Sequence, residues 1–509
     1  MLKKYFLSFC TGFLLIFSFP PFAFYPLAWI AFLPLFEAIR EISPSYAFRM
    51  GLFSGCVFFL GILYWTVHAM VCYGGVSSPL SLLALFLLVF YLALYFGIFS
   101  YFIKIFSIEF SPILIASLWV SLEYIRAHFL TGFPWELLGD SQYNWLSFIQ
   151  VADIGGVYLL SFLVMWGNAS FFQCLKERNK QSYFGLFILG ICLGTILFYG
   201  QNRLSFWEKQ CLISPKKINI GVIQGNIDQN QKWEPAFQAT TVKIYEHLSR
   251  QAIKNHPELL IWPETALPFY FQEKSPWQEQ VLTLARDLKT PILAGSPAYE
   301  TRAEGIKYFN RAYLINEQGK ITGYYDKVHL VPFGEYIPLR KWLPFLSAIA
   351  VTVGDFSSGK EIMPLSLTGH YSFGVLICFE SIFPELSREL VQKQAHFLVN
   401  ITNDAWFGRT SAPYQHLAML VLRAVENRRA IARAANTGFS AFIEPTGKII
   451  KQTKLFEQSY IIANLPLIEN KTFYTNHGDI LVFFCFCVIF ILAIKTVKRG
   501  SKWRKLVKF

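Results

Sequence analysis

The sequence predicts a multi-span α-helical membrane bundle of about eight helices joined to one extramembrane α/β domain. Of the 509 residues, 54% are hydrophobic and only 16% charged, and the mean hydropathy is +0.37, well above the range of soluble chains of this length. The apolar residues are unevenly spread. They concentrate before about residue 200 and again in Ile480 to Ile494, leaving a middle stretch of ordinary globular composition, about 260 residues long and large enough for its own core.

Eight apolar runs have a length near that of a bilayer crossing: Tyr5 to Phe22, Pro26 to Ile42, Met50 to Tyr73, Leu80 to Phe106, Pro112 to His128, Ile149 to Gln173, Ser182 to Tyr199 and Asp479 to Ile494. Pro20, Pro21 and Pro26 interrupt the first two, which are either two crossings or a re-entrant pair. The first is read as an uncleaved span, since no small-residue cleavage site follows its basic start. These runs divide the chain into a bundle of about seven helices (1–205), a domain (211–475), a last span (479–495) and a basic cytoplasmic tail (496–509).

The net charge of +13 follows topology. Lys3, Lys4, Arg40, Arg49, Lys104, Lys176, Arg178, Lys180 and the tail from Lys495 to Lys508 fall on one face, which the positive-inside rule makes cytoplasmic. This pattern argues for contact with anionic lipid rather than nucleic acid. The domain then lies outside the cytoplasm, which in a bacterial inner membrane means the periplasm. Only Cys211 and Cys378 of the nine cysteines fall in it, so a disulfide framework is excluded and a single pair stays open.

Within the domain, strand-like runs cover Ile218 to Gln224, Leu259 to Trp262, Pro291 to Ser296, Arg311 to Asn316, Tyr371 to Cys378, Phe397 to Thr402, Ser440 to Glu444 and Tyr460 to Leu465. The clearest helical run is Pro413 to Ala435, with Leu417, Leu420, Val421 and Ala424 on one face and Arg423, Glu426, Arg429 and Arg433 as a surface charge ladder. Such alternation of strands and helices predicts helices layered on sheets. Phosphate loops, dinucleotide fingerprints and zinc spacings are missing from this sequence, and His329, His396 and His416 are assigned structural roles. No cofactor is expected.

Chemistry is therefore sought at strand ends. Ile261-Trp262-Pro263-Glu264 ends an apolar strand on a carboxylate; Tyr325-Asp326-Lys327 ends one on an ammonium, followed by His329 to Tyr336; Gly374 to Cys378 ends one on a thiol, followed by Phe379 and Glu380. Alone, Glu264 reads as a solvated acid or cap, Lys327 as half of a surface pair, and Cys378 as a small core hydrophobe. Together they supply a base, a cation and a nucleophile, the parts needed to attack a carbonyl carbon and hold the resulting oxyanion.

The ordered set Trp262-Pro263-Glu264, then Lys327, then Cys378-Phe379-Glu380 resembles the carbon-nitrogen hydrolase (nitrilase) superfamily. With apolar spans on both sides and the run His329 to Tyr336, the whole chain resembles its membrane-bound branch, the apolipoprotein N-acyltransferase family. The resemblance implies a nitrilase-like α-β-β-α sandwich carried on a membrane bundle. It also implies transfer of an acyl chain from a phospholipid to the free α-amine of a lipoprotein's diacylglyceryl-cysteine. A monomer is expected. The family's triad falls on Glu264, Lys327 and Cys378, its accessory acid on Glu335, and further matches on Trp233, Asn310, Glu380 and Trp406, in substrate-positioning or loop roles. The family commonly has Tyr after the nucleophile and this chain has Phe379, so a hydroxyl is lost there while the backbone N–H stays available as an oxyanion donor.

On this reading Lys327 lowers the Cys378 thiol and burial raises the Glu264 acid. Leu267 to Phe271, Trp342 to Val351 and Trp406-Phe407 are apolar enough to be either core or mobile arms that touch lipid. Two other classes stay open. A membrane-anchored amidase would use the same triad with water in place of the amine. A transporter or lipid-binding protein would place charge deep in its spans, whereas Glu37, Arg40, Glu41, Lys104, Glu123, Arg126, Asp153 and Asp479 lie toward span ends.

Overall fold

A computed structural model describes residues 1–214, 216–303, 305–338, 355–367 and 371–506. The apolar run Trp342 to Val351 lies outside the described residues. The chain forms two compact units: residues 1–64, 82–203 and 477–509 make one, and residues 65–81 with 204–476 make the other.

Among the described residues five helices are long and apolar enough to cross a bilayer: Pro44–Leu63, Ser78–Ile105, Ala152–Glu177, Lys180–Ile213 and Ile480–Lys498. Helices Leu2–Ser18 and Pro112–His128, with 17 residues each, are slightly shorter. The second predicted run is not one helix. Pro26 starts a 3-10 turn, Tyr25–Trp29, and Pro34 starts a separate seven-residue helix, Leu33–Ile39, because each proline lacks the N–H that would continue the preceding turn. The third run also divides, its end forming helix Trp65–Cys72 within the second unit. Glu123 and Arg126 are buried and fasten a loop: Glu123 Oε1 accepts from Leu138 N at 2.7 Å, and Arg126 Nη1 donates to the Trp135 carbonyl at 3.0 Å.

Among its described residues the second unit holds twelve strands: β1 (Lys217–Gln224), β2 (Leu259–Ile261), β3 (Ile292–Arg302), β4 (Gly305–Ile315), β5 (Ile321–Asp326), β6 (Leu365–Leu367), β7 (Tyr371–Ile377), β8 (Phe397–Thr402), β9 (Ile431–Ala435), β10 (Ala441–Ile443), β11 (Ile449–Gln452) and β12 (Ser459–Pro466). They form two six-stranded sheets, ordered β12-β1-β2-β3-β4-β5 and β11-β10-β9-β8-β7-β6. Both centres are parallel, β1 with β2 and β3, and β7 with β8 and β9.

Strand alternation sorts the core into layers. Ile218, Ile220, Val222, Leu259 and Ile261 meet Phe373, Val375, Ile377, Val399 and Ile401 between the sheets. On the other face of the first sheet, Ile223, Leu260 and Trp262 meet Val242, Tyr245, Leu248, Val281 and Leu284 of helices Pro235–Ala252 and Pro276–Leu288. Helices Pro384–Gln392 and Ala412–Asn427 cover the second sheet, completing α-β-β-α. Each fully buried Val, Ile or Phe contributes about 1.5–3 kcal/mol, so both layers stabilise the unit.

The clearest predicted helix and the charge ladder on it need correction. The helical run Pro413 to Ala435 ends at Asn427, where Arg428 turns into the left-handed region (φ 50°), and Ile431–Ala435 becomes β9, a wholly buried central strand. The predicted surface charge ladder is consequently interior. Arg423 and Glu426 form a bidentate pair at 2.6 and 2.7 Å with both side chains buried, while Arg433 sits on β9. Of the two readings open for Leu267 to Phe271, the structure favours core, with Leu267 and Phe271 fully buried and Phe271 packed on Tyr313.

Candidate functional site

The site forms where strands of both sheets end. Strand β2 ends at Ile261, just before Trp262 and Pro263, and Trp262 is locked in place by stacking on Tyr245 and donating from Nε1 to Ser249 Oγ at 3.0 Å. The turn that follows passes through left-handed Thr265 (φ 47°) and lies so close to β3 that a Cβ on Gly295 would sit 2.5 Å from Thr265 N. Only glycine admits that approach. Glu264 is thereby projected into the site with two fixed oxygens: Oε1 accepts from Asn310 Nδ2 at 2.7 Å, and Oε2 from Asn403 N at 2.8 Å.

Lys327 follows directly on β5. The Arg311–Asp326 fork at 2.6 and 2.8 Å ties β5 to β4, and Lys327 N donates to the Asn310 carbonyl at 2.9 Å, so the backbone carrying Lys327 is held on both sides. Its Nζ donates to Glu335 Oε1 at 2.9 Å and lies 3.8 Å from Glu264 Oε1. Asn310 joins the two acids by donating to Glu335 Oε1 as well, at 3.1 Å, and Glu335 Oε2 accepts from Val331 N at 2.8 Å.

Cys378 ends β7 and opens a 3-10 turn in the left-handed region (φ 53°), a conformation that costs a non-glycine residue about 1–3 kcal/mol and needs support from its surroundings. Part of that support is Glu380, fully buried, whose Oε2 accepts from Ile377 N at 2.7 Å while Oε1 accepts from Val328 N at 2.7 Å, His329 N at 3.1 Å and the Tyr325 hydroxyl at 3.1 Å. Glu380 thus staples the turn after β7 to the segment carrying Lys327. Burial still lifts its carboxyl to about 7 despite the backbone donors.

The charges act on one another. Burial raises Glu264 above the usual carboxylate range, against the pull of Lys327. Burial alone would lower Lys327, but Glu335, Glu264 and Cys378 together hold it well above its ordinary value, so it stays an ammonium. Burial and the Glu264 charge raise the Cys378 thiol, and Lys327 does not offset them. This corrects the sequence expectation of a lowered thiol. A thiol raised in this way favours its protonated form, and Glu264, likewise raised, is the neighbouring group suited to take that proton.

Of the other predicted residues, Phe379 is buried against His329 and Phe383, with ring centroids 5.9 and 5.1 Å away. Trp233 is exposed beside Lys232, whose Nζ lies 6.0 Å from its ring. Trp406 is half-buried and packs edge-on against Tyr73 at 5.7 Å, and Phe407 against Trp65 at 4.8 Å. Cys211 and Cys378 are both free thiols. His396 Nδ1 lies 3.2 Å from Ser372 N, and the His329 ring packs on Phe383.

Several residues at the site escaped the sequence reading. Lys232, fully buried, donates to Thr265 Oγ1 at 2.6 Å and to the Glu264 carbonyl at 3.4 Å, and burial brings its ammonium down to about 7. Asn403 and Asp404 occupy a fourth strand end, after β8, a position the strand-end logic could have included. Asp404, Arg433 and His416 form a buried cluster with Asp404 Oδ2 2.7 Å from Arg433 Nη2 and Asp404 Oδ1 3.1 Å from His416 Nδ1.

Comparison with known proteins gives consistent matches over both units. A model described as the apolipoprotein N-acyltransferase N-terminal domain matches residues 11–170, and the carbon-nitrogen hydrolase model matches residues 219–470. Apolipoprotein N-acyltransferase of Geobacter metallireducens is 44% identical over 507 residues, covering 98% of this chain and 96% of the relative. The protein of that name from Haemophilus influenzae is 31% identical over 504 residues, covering 96% and 95%. Among solved structures, Saccharomyces cerevisiae Nit3 of the nitrilase superfamily aligns with 50% of this chain and 92% of its own, at 21% identity and a TM-score of 0.39.

Proposed function

The chain belongs to the apolipoprotein N-acyltransferase family, and from that premise we propose that it moves an acyl chain from a phospholipid to the α-amine of a lipoprotein's diacylglyceryl-cysteine through a thioester on Cys378. The observation that carries this reading is the buried Lys327 ammonium set between Glu335 at 2.9 Å and Glu264 at 3.8 Å, in the same electrostatic field as the half-buried Cys378. The proposal includes a bundle of about eight crossings in residues 1–205 and 479–495, a catalytic domain at 211–475 on the periplasmic side of an inner membrane, a cytoplasmic tail, and a monomeric enzyme. Substrates confined to the bilayer explain why so many apolar helices accompany the domain, since a single anchor would serve a hydrolase of soluble molecules.

In the first half-reaction the thiol proton passes to the Glu264 carboxylate as sulfur attacks the ester carbonyl of the phospholipid. Negative charge moves to the carbonyl oxygen, where Lys327 Nζ and the Phe379 N–H receive it. Collapse breaks the carbon–oxygen bond, and protonated Glu264 gives its proton to the departing glycerol oxygen. In the second half the lipoprotein amine attacks the thioester, Glu264 takes the amine proton, and the departing sulfur regains it as the amide forms. Glu335 holds Lys327, Asn310 orients both acids, Glu380 keeps the Lys327 and Cys378 segments in register, and Trp233 and Trp406 position lipid chains.

The test is the intact mass of detergent-purified protein after incubation with phospholipid. Wild type gains one acyl group and C378A gains none. No adduct on wild type overturns the covalent mechanism, and an adduct discharged by water as fast as by a lipopeptide amine supports an amidase instead.

A further inference from the structure

Behind Cys378 runs a chain of buried donors that the mechanism above does not use. Arg433 Nη2, on β9, lies 3.1 Å from His416 Nδ1; His416 Nε2 lies 2.8 Å from Ser381 Oγ and 3.2 Å from the Cys378 carbonyl; and Ser381 Oγ donates to that same carbonyl at 2.9 Å. Arg433, His416 and Ser381 are essentially sealed from solvent. His416 Nδ1 also lies 3.1 Å from Asp404 Oδ1, so it faces both a donor and an acceptor. In the tautomer with the proton on Nε2, Arg433 donates to Nδ1, Nε2–H donates to Ser381, and the Ser381 hydroxyl donates to the carbonyl, while Asp404 keeps Arg433 and Thr402 as its donors. Burial and the neighbouring Arg433 hold His416 neutral, as this tautomer requires. Asp404 anchors the far end, accepting from Arg433 Nη2 at 2.7 Å and from the Thr402 hydroxyl at 2.8 Å.

The carbonyl of Cys378 and the N–H of Phe379 are opposite ends of one planar peptide. A hydrogen bond that fixes and polarises the carbonyl therefore fixes and polarises the N–H, and chained donors strengthen one another in a low-dielectric interior. The turn that aims this peptide starts from the left-handed conformation of Cys378, which relaxes unless held. We propose that His416 and Ser381 are positioning residues for the oxyanion donor, transmitting the charge of Arg433 to the Phe379 N–H. The inference rests on Cys378 being the acyl-accepting nucleophile and adds to it a reason why the peptide after the nucleophile is ready before substrate arrives.

The test compares two reactions of one sulfur. Thioester formation from phospholipid passes through an oxyanion, whereas alkylation of Cys378 by iodoacetamide displaces iodide and forms none. In H416L the rate of thioester formation is expected to fall about 10- to 100-fold, below the 10²–10³-fold loss from deleting a donor outright. KM for phospholipid and the alkylation rate should stay within about twofold of wild type, because the donor and not the sulfur is disturbed. H416Q, whose amide nitrogen can still donate, should recover part of the loss. S381A, which removes a single hydroxyl, gives a smaller fall of about threefold to tenfold and carries the test where H416L does not fold. Parallel loss of alkylation and thioester formation would mean a structural role and overturn the proposal, as would a wild-type thioester rate in S381A. If wild-type Cys378 alkylates but never forms a thioester, it is the acyltransferase mechanism that fails, a result separate from any variant.

Discussion

The two sheets hold their halves of the site in different ways. At the ends of β2 and β5 the first sheet presents charges, and these are fixed chiefly by one another: Asn310 spans both acids, Glu335 holds Lys327, and Lys232 ties down the turn behind Glu264. At the ends of β7 and β8 the second sheet presents a neutral thiol fixed by backbone shape, with Cys378 in the left-handed region, Glu380 gathering three backbone N–H groups and His416 backing its carbonyl. The difference teaches a division of labour. In the proposed mechanism the first sheet creates the field in which a proton moves, and the second sets where the sulfur and the oxyanion donor stand.

Breaking the first sheet's contribution should give the larger effects on chemistry. E264Q keeps the shape of the side chain but removes the base, and the rate of thioester formation in single-turnover assays should fall about 10²–10⁴-fold. K327M removes an oxyanion donor and should cost about 10²–10³-fold, measured the same way. The pH profile follows from the sign of the Glu264 shift. A base works only when ionised, and burial raises Glu264, so the acidic limb of kcat/KM should lie above the ordinary carboxylate value of about 4.3, with activity lost as pH falls through it. In K232M a cation that favours ionised Glu264 is gone, so this limb should move further up in pH, with a loss at neutral pH of about tenfold. A limb that stays in place would show that Lys232 serves only the Thr265 turn.

The smallest effect on chemistry is expected from a change that is severe for folding. R423L breaks the buried bidentate pair with Glu426, and breaking a buried pair from one side costs about 3–5 kcal/mol. The thermal midpoint should drop, while the thioester rate per folded molecule stays near that of wild type. A selective loss of rate with unchanged stability would move Arg423 into the site and blur the contrast between the sheets.

The parts of the fold that could be read in the sequence were those with a simple periodic signal. Apolar runs near bilayer length marked the helices, and alternation ending in Pro263 or in a polar residue marked β2, β7 and β8. The break in the second apolar run was written in its prolines, yet composition alone makes such a run look continuous. Strand β9 was hidden because Ile431 to Ala435 continues the helical spacing of the preceding residues, and only the left-handed Arg428 separates them. That error turned buried arginines into a surface ladder and so concealed the group at the head of the relay. Glu264 and Lys327 were legible as residue types at strand ends, and Glu335 only through the family resemblance. The raised thiol was not, since the balance between burial, Glu264 and Lys327 depends on distances that no spacing encodes.

The most direct test of the account is the chemical competence of the acyl-enzyme. Wild type loaded with acyl groups from phospholipid, freed of donor and mixed with a diacylglyceryl-cysteine peptide, should release its adduct from Cys378 and yield N-acylated peptide in equal amount, faster than the overall turnover and much faster than loss to water. An adduct that stays on the protein, or that leaves without acylating the peptide, would contradict it.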